Sequence, residues 1–201
     1  RHGVGYDNVD IRYLKDNNIT LCITANANAI AVAEHVMYMM LCISKGIISH
    51  DRSVRNGQFK QGIKDTQTLE LDGKEILIVG FGRIGKSLIS KCKSFNMNIK
   101  IFDPYVNNET IDKLKCIKVD NLKNSFKTSD FISLHVPLTK ETENLINLES
   151  LKLMKKTSII INTSRGGIIN EIDLNKAIND GIIFGAGIDV FKNEPVNIDN
   201  P

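Results

Sequence analysis

Two hydrophobic rhythms divide this chain. From Glu75 onward, short apolar runs recur: EILIVG (75–80), NIKIFD (98–103), CIKV (116–119), FISLHV (131–136), SIIINT (158–163) and IFGAGID (183–189). Helical stretches separate them: one from the glycines after Val79 to Phe95, one near 121–127, two short pieces around 142–154, and one near 171–179. Apolar runs this short, without alternation, predict strands buried on both faces. Strands that alternate with helices predict βαβ units of an α/β protein. Right-handed crossovers then give a doubly wound parallel sheet with helices on both faces.

Before Glu75 the rhythm changes. Residues 1–24 read as loop, helix and strand, with Asp10 as the N-cap of a helix ending near Asn17 and ITLCI (19–23) as a short strand. That segment holds too little to fold alone. A mostly apolar helix over 28–49 follows, about as long as a bilayer is thick. Glu34, His35 and Lys45 interrupt it, and charges are costly at membrane depth. The expectation is a helix buried on most sides, and one this apolar needs cover on more than one side, which predicts a homodimer. The polar stretch 53–74 predicts loop with a short helix.

Composition narrows the function. The formal net charge is +3, with Lys spread among Asp, Glu and Asn. No basic stripe for nucleic acid and no basic amphipathic helix for a membrane is expected. Cys22, Cys42, Cys92 and Cys116 are scattered, without a C-x-x-C pair or a His at metal spacing. Reduced thiols in a cytoplasmic protein, and no metal, are expected. The opening residues predict no signal peptide.

The chemistry gathers at glycines. EILIVG runs into GFGRIG, with Gly80, Gly82 and Gly85 at G-x-G-x-x-G spacing between a strand and a helix. Gly80 allows the tight turn, Gly82 lets backbone approach a pyrophosphate, and Gly85 lets the helix pack close. The helix then points its unpaired N–H groups and positive end at the anion. Asp103 closes the next strand, eighteen residues past Gly85. A carboxylate there accepts from ribose hydroxyls and repels a 2′-phosphate, so NAD is favoured over NADP. A second cluster is INTSRGGIINE (161–171). Arg165 stands where a parallel strand ends, the edge at which open α/β sheets take ligands. Its planar, permanently charged fork suits a carboxylate. The plainer alternative is a surface arginine in a helix-capping loop. On residues alone, Glu194 reads as a solvated carboxylate beside Pro195, and Asp189 can serve as the cap of the following turn.

Together these motifs resemble the D-isomer-specific 2-hydroxyacid dehydrogenases. The likeness runs along the whole chain, through RHGVGYDNVD, ANAIAVAEH, GFGRIGKSL, FDPY, SLHVPLTKETENLIN, INTSRGGIINE and GAGIDVFKNEP. The phosphoglycerate dehydrogenase branch fits best. The resemblance implies a Rossmann-like fold, NAD, and hydride transfer between nicotinamide and C2 of a small D-2-hydroxy or 2-keto acid. It implies that Arg83, Ile84 and Pro104 join Gly80, Gly82, Gly85 and Asp103 as cofactor-binding residues. His135, Val136 and Pro137 would border the adenosine pocket. Thr163, Ser164 and Arg165 would line the nicotinamide site, and Asp189 would bind the carboxamide. Arg165 would also hold and polarise the substrate, the backbone amides of Val4 and Gly5 would take its carboxylate, and Arg1 would contact it. Glu194 would pair with a catalytic histidine.

The chain departs from that pattern in one main way. The family's acid–base histidine follows the Glu-Pro motif, and no histidine follows Glu194. Among His2, His35, His50 and His135, the second and third are expected to be structural, and His135 belongs to the adenine side. The expectation is a fragment, with 1–25 a remnant of a substrate domain and 26–201 the NAD-binding domain, able to bind NAD but turning over little. Asn170 stands where the family usually has aspartate, and Ile23 and Ala25 replace an asparagine and a proline. Two rivals remain: an NAD(H)-responsive corepressor-like binding module, and a relative of adenosylhomocysteine hydrolase or alanine dehydrogenase. The SRGG and DVFKNEP pair speaks against the last.

Overall fold

Asp10 caps a helix: its carboxylate accepts the Tyr13 amide at 2.9 Å, and α1 runs Ile11–Asp16. The computed structural model describes every residue except Asp7, Ala25, Asn26 and Thr66, and only the backbone of 63–65. The departure at Ala25 therefore lies outside the described residues. The strand expected over 19–23 does not form. A strand exists only as part of a ladder, and this segment has none: its neighbour Thr24 pairs with Gly3 through single bonds, Gly3 N–H donating to Thr24 Oγ1 at 2.8 Å.

The helix expected over 28–49 is also corrected. It breaks into α2 (Ala29–Ser44) and α3 (Ile47–Arg55), bent by 55°. Gly46 sits in the left-handed region at φ 59°, and its N–H turns back to Ile43 O. This is how helices commonly end. Among the described residues no single helix is long and apolar enough to cross a membrane. The polar stretch that follows is more helical than expected, since α3 runs on to Arg55 and α4 (Phe59–Asp65) comes after it.

From Glu75 the expected alternation appears. β1 (Glu75–Val79), α5 (Arg83–Ser94), β2 (Asn98–Phe102), α6 (Asn108–Asp112), β3 (Ile117–Lys118), α7 (Leu122–Thr128), β4 (Phe131–Leu134), α8 (Leu148–Lys152), β5 (Ile159–Asn162), α9 (Glu171–Asn179) and β6 (Gly185–Ile188) follow in turn. The sequence pattern did not announce α6, which is five residues long and capped by Asn107. Of the two helical pieces expected around 142–154, only α8 forms. Thr142 is instead tied into a turn by Thr139 and Pro137, and Ile146 bridges to Ile169.

All strand pairs are parallel, in the order β3-β2-β1-β4-β5-β6. The order reverses between β1 and β4, and ligands bind at such a switch point. Two apolar layers flank the sheet. One joins α2 and α5 to Ile76, Ile78 and Ile161, and the other joins Phe126, Leu151 and Leu174 to Leu77, Ile132 and Ile160. In α5 the buried residues are Gly85, Leu88, Ile89 and Cys92, the i, i+3, i+4, i+7 stripe of a helix with one face on a sheet. α2 buries Ala33, Val36, Met37, Met39 and Met40 against the same face. Its apolarity is thus largely explained within the chain.

Candidate active site

The site is built where the strands end. Gly80 N–H donates to Phe102 O at 2.9 Å, His135 N–H to Val79 O at 2.7 Å, and Asp189 N–H to Asn162 O at 3.0 Å. These bonds carry the sheet's register into the loops after β1, β4 and β6. The three glycines divide their work as the motif requires. Gly80 has φ 99°, and a Cβ there would lie 2.7 Å from His135 O. A Cβ on Gly85 would lie 2.4 Å from Gly80 O, so only glycine lets α5 seat this close. At Gly82 a Cβ would meet nothing within 4 Å. Gly82 is the N-cap of α5 and gives it no side-chain cap. Open space in front of an uncapped, twelve-residue helix is a cradle for an anion.

Asp103 is held beside that cradle. Its Oδ2 accepts Phe81 N–H at 2.8 Å and its Oδ1 accepts Tyr105 N–H at 2.9 Å. Each oxygen keeps a second lone pair for a ribose hydroxyl. Pro104 is exposed next to it, as are Gly82 and Arg83 on the cradle; Ile84 is half-buried. Replacing Asp103 with serine removes the charge but keeps a short acceptor. The expected result is that the preference for NADH over NADPH, read as a ratio of dissociation constants by fluorescence titration, narrows about a hundredfold.

His135 follows directly on β4, ahead of Val136 and Pro137. Its Nε2 lies 2.8 Å from Ser133 Oγ, and its Nδ1 is enclosed without a partner. By area the residue is half-buried, but Nδ1 is sealed from solvent. Burial pushes its pKa down from 6.5 to about 4. The ring is therefore neutral at neutral pH and makes a poor proton donor. Between these two values the unfolded chain binds the proton and the folded one does not, so stability falls as pH drops from 6.5 to 4. About 3 kcal/mol should be lost over that window. Urea midpoints of the parent and His135→Gln at several pH values check this: the variant should show the shallower slope.

The turn after β5 answers why an arginine precedes two glycines. Asn162 is buried at the strand end. Its Nδ2 donates to Arg165 O at 2.8 Å, and its Oδ1 accepts Ser164 N–H at 3.0 Å and Ser164 Oγ–H at 2.8 Å. One amide thus fixes the whole turn. Arg165 has extended backbone, and its Nη1 donates to Ser164 O at 2.6 Å. Gly166 then packs against the Phe191–Lys192 backbone, where a Cβ would lie 1.9 Å from Phe191 C. Asn162 was missed in the sequence, although a lone polar residue closing an apolar run was the visible signal. Thr163 Oγ1 beside it is buried and without a partner among the described residues.

That packing closes one wall of a cleft of about 500 Å³. Arg1, Gly5, Leu138, Ser164, Arg165, Lys192 and Glu194 are among its lining residues. Val4, expected there with Gly5, is not. Glu194 Oε1 accepts Phe191 N–H at 2.9 Å, and Glu171 Oε1 accepts Lys192 N–H at 2.6 Å. No histidine lines the cleft among the described residues. His50 lies on α3, and His35 lies 3.5 Å from Asp189. Asn170 caps α9 by accepting Asp173 N–H at 3.1 Å, a role aspartate performs equally well. The residues present fit a dinucleotide: the Gly82 cradle would take the pyrophosphate, Asp103 the ribose, and the Thr163 hydroxyl a polar group at the other end.

Comparison with known proteins agrees with this fold. Residues 37–201 match the family model described as D-isomer specific 2-hydroxyacid dehydrogenase, NAD binding domain. The chain is 39% identical over its full length to the D-3-phosphoglycerate dehydrogenase of Methanocaldococcus jannaschii, covering 38% of that protein. It is 40% identical to the glyoxylate reductase of Thermococcus litoralis over 97% of this chain and 60% of that one. A solved Granulicella formate dehydrogenase superposes with a TM-score of 0.92 at 26% identity, over 99% of this chain and 53% of that one. The chain thus spans less than two thirds of each relative.

Proposed function

We propose, from the premise that this chain belongs to the D-isomer-specific 2-hydroxyacid dehydrogenases through their NAD-binding domain, that the whole protein interconverts a small D-2-hydroxy acid and its 2-keto acid. NAD, when bound, accepts or delivers the hydride at C2 of the substrate. The observation that carries this reading is that Arg165 and Glu194 face one cleft at the carboxyl edge of the sheet. Arg165 clamps the substrate carboxylate, and its charge opposes the negative charge that develops on the keto oxygen. Glu194 is anchored through Oε1, which leaves Oε2 to orient a histidine supplied from outside the described cleft. Leu138 packs over Gly167 and helps keep water from that wall.

The substrate in this reading is 3-phosphoglycerate-like. Among the described residues that line the cleft, Arg1 and Lys192 stand beside Arg165. These further cations support a substrate with a second acidic group. Residues 1–25 are read as part of a substrate domain and 26–201 as the NAD-binding domain. A homodimer through the α2–α3 face is supported by exposed Ile30, Tyr38, Ile47 and Ile48, an apolar surface that the chain itself leaves uncovered. Four free thiols support a cytoplasmic location.

The test is turnover by the whole protein with NADH and, separately, phosphohydroxypyruvate, hydroxypyruvate and glyoxylate. The phosphorylated keto acid should give the highest kcat/KM. A preference for glyoxylate removes the phosphoglycerate-like reading and leaves the dehydrogenase standing. Binding of NADH with no turnover of any 2-keto acid removes the dehydrogenase as well.

A further inference from the structure

We propose that His35 is a positioning residue for the cofactor: from α2 it holds one oxygen of Asp189, so that the other oxygen faces the nicotinamide carboxamide. The proposal rests on the dehydrogenase reading above. His35 Nε2 lies 3.5 Å from Asp189 Oδ1. With a proton on that nitrogen the imidazole is the donor side of this ion-pair contact and the carboxylate the acceptor side.

The contact follows from how α2 lies on β6. A Cβ on Gly185 would meet Ile43 Cγ2 at 3.2 Å, and one on Gly187 would meet Met39 Sδ at 3.0 Å. Ile43 faces Gly185, Met39 faces Gly187, and His35 faces Asp189. Four residues back along the helix match two residues forward along the strand. Four helical residues rise about 6 Å and two strand residues about 6.6 Å, so helix and strand stay in step. The glycines of GAGID let α2 seat directly on the strand, and that seating delivers His35 to the strand's end. Ala33 and Val36 on either side are fully buried, which fixes the helix rotation.

Both partners are held. The His35 ring stacks on Tyr38, with centroids 5.7 Å apart and planes at 27°. The Asp189 backbone is tied to β5 through Asn162 O. Its side chain is 51% exposed and that of His35 42%, so the pair contributes little to folding. A carboxylate has two oxygens, and a bond to one removes rotamers that would turn the other from the ligand. The consequence is preorganisation of the acceptor for the carboxamide. α2 thereby becomes part of the cofactor site.

The test compares two ligands in the whole protein. NADH carries the nicotinamide, whereas ADP-ribose has the same adenosine and pyrophosphate without it. His35→Ala should weaken NADH roughly fivefold and leave ADP-ribose unchanged. His35→Gln, whose amide can still donate to Asp189, should recover most of the loss. In an Asp189→Ala background His35→Ala should have no further effect, since the partner is gone. Alanine suits a helix interior, so thermal unfolding should stay close to the parent. Equal weakening of both ligands, an unchanged NADH affinity, or a full effect without Asp189 each overturns the proposal. A parent protein that binds neither ligand overturns the dehydrogenase reading itself and takes the proposal with it.

Discussion

Gly166→Ala should destabilise the domain by roughly 4 kcal/mol and deform the substrate cleft. The new methyl would sit 1.9 Å from Phe191 C and 2.2 Å from Phe191 O, both backbone atoms that cannot rotate away. One of two walls must therefore move. Asn162 pins the Arg165 side through the Arg165 carbonyl. The other wall is tied to α9 by Glu171, which accepts the Lys192 amide, and is stiffened within its own turn by Glu194, which accepts the Phe191 amide. Relief costs at least one of these bonds and separates Arg165 from Glu194. Urea unfolding would show a lower midpoint at unchanged slope. Gly82→Ala makes the instructive contrast. Its Cβ meets nothing within 4 Å, and its φ of −74° suits alanine. Stability should stay within about 0.5 kcal/mol, while NADH binding falls because the methyl occupies the anion's space. Equal stability of the Gly166→Ala and parent proteins would refute the packing argument.

Arg165→Lys should lower kcat/KM for the preferred 2-keto acid about a thousandfold in the whole protein. A lysine keeps the charge but loses the planar fork, and its flexible stem must be ordered anew. Arg165 is half-buried on extended backbone, and Nη1 is already committed to Ser164 O. The guanidinium therefore arrives prealigned, which a lysine ammonium at this place does not. Because Arg165 both clamps the substrate carboxylate and opposes the charge that develops on the keto oxygen, KM should rise and kcat should fall together. NADH affinity should change by less than about threefold, since the pyrophosphate cradle is untouched. Steady-state kinetics with NADH titration alongside decide the matter. Retention of kcat/KM within tenfold would move the substrate anchor to another cation of the cleft, Arg1 or Lys192.

The glycine turn with Asp103 beside it was legible in the sequence, and the cleft around Arg165 much less so. Gly80, Gly82, Gly85 and Asp103 lie within one βαβ unit, so their spacing alone assembles them. Arg165 could be placed at a strand end from its own neighbours. Nothing local distinguishes Lys192 from other exposed lysines; the turn packed on Gly166 brings it to the cleft. His35 looks structural in the sequence for a similar reason. Its helix is apolar, and its meeting with Asp189 depends on a distant strand made of small residues.

What the sequence by itself determined is whatever short-range chemistry can enforce. Unbroken apolar runs had to be strands covered on both faces, and glycines at one spacing had to make a close turn onto a helix. Tertiary structure decided where a pattern needs a partner. The ITLCI segment has the residues of a strand, but without a neighbouring ladder its backbone groups do not form one. The apolar stretch from Ala29 to Ile48 hides a 55° bend, because hydrophobicity continues through Gly46 while the backbone does not. Side-chain periodicity reports which face of an element is buried. It carries no information on which distant residue that face will meet, and catalytic sites are made of such meetings.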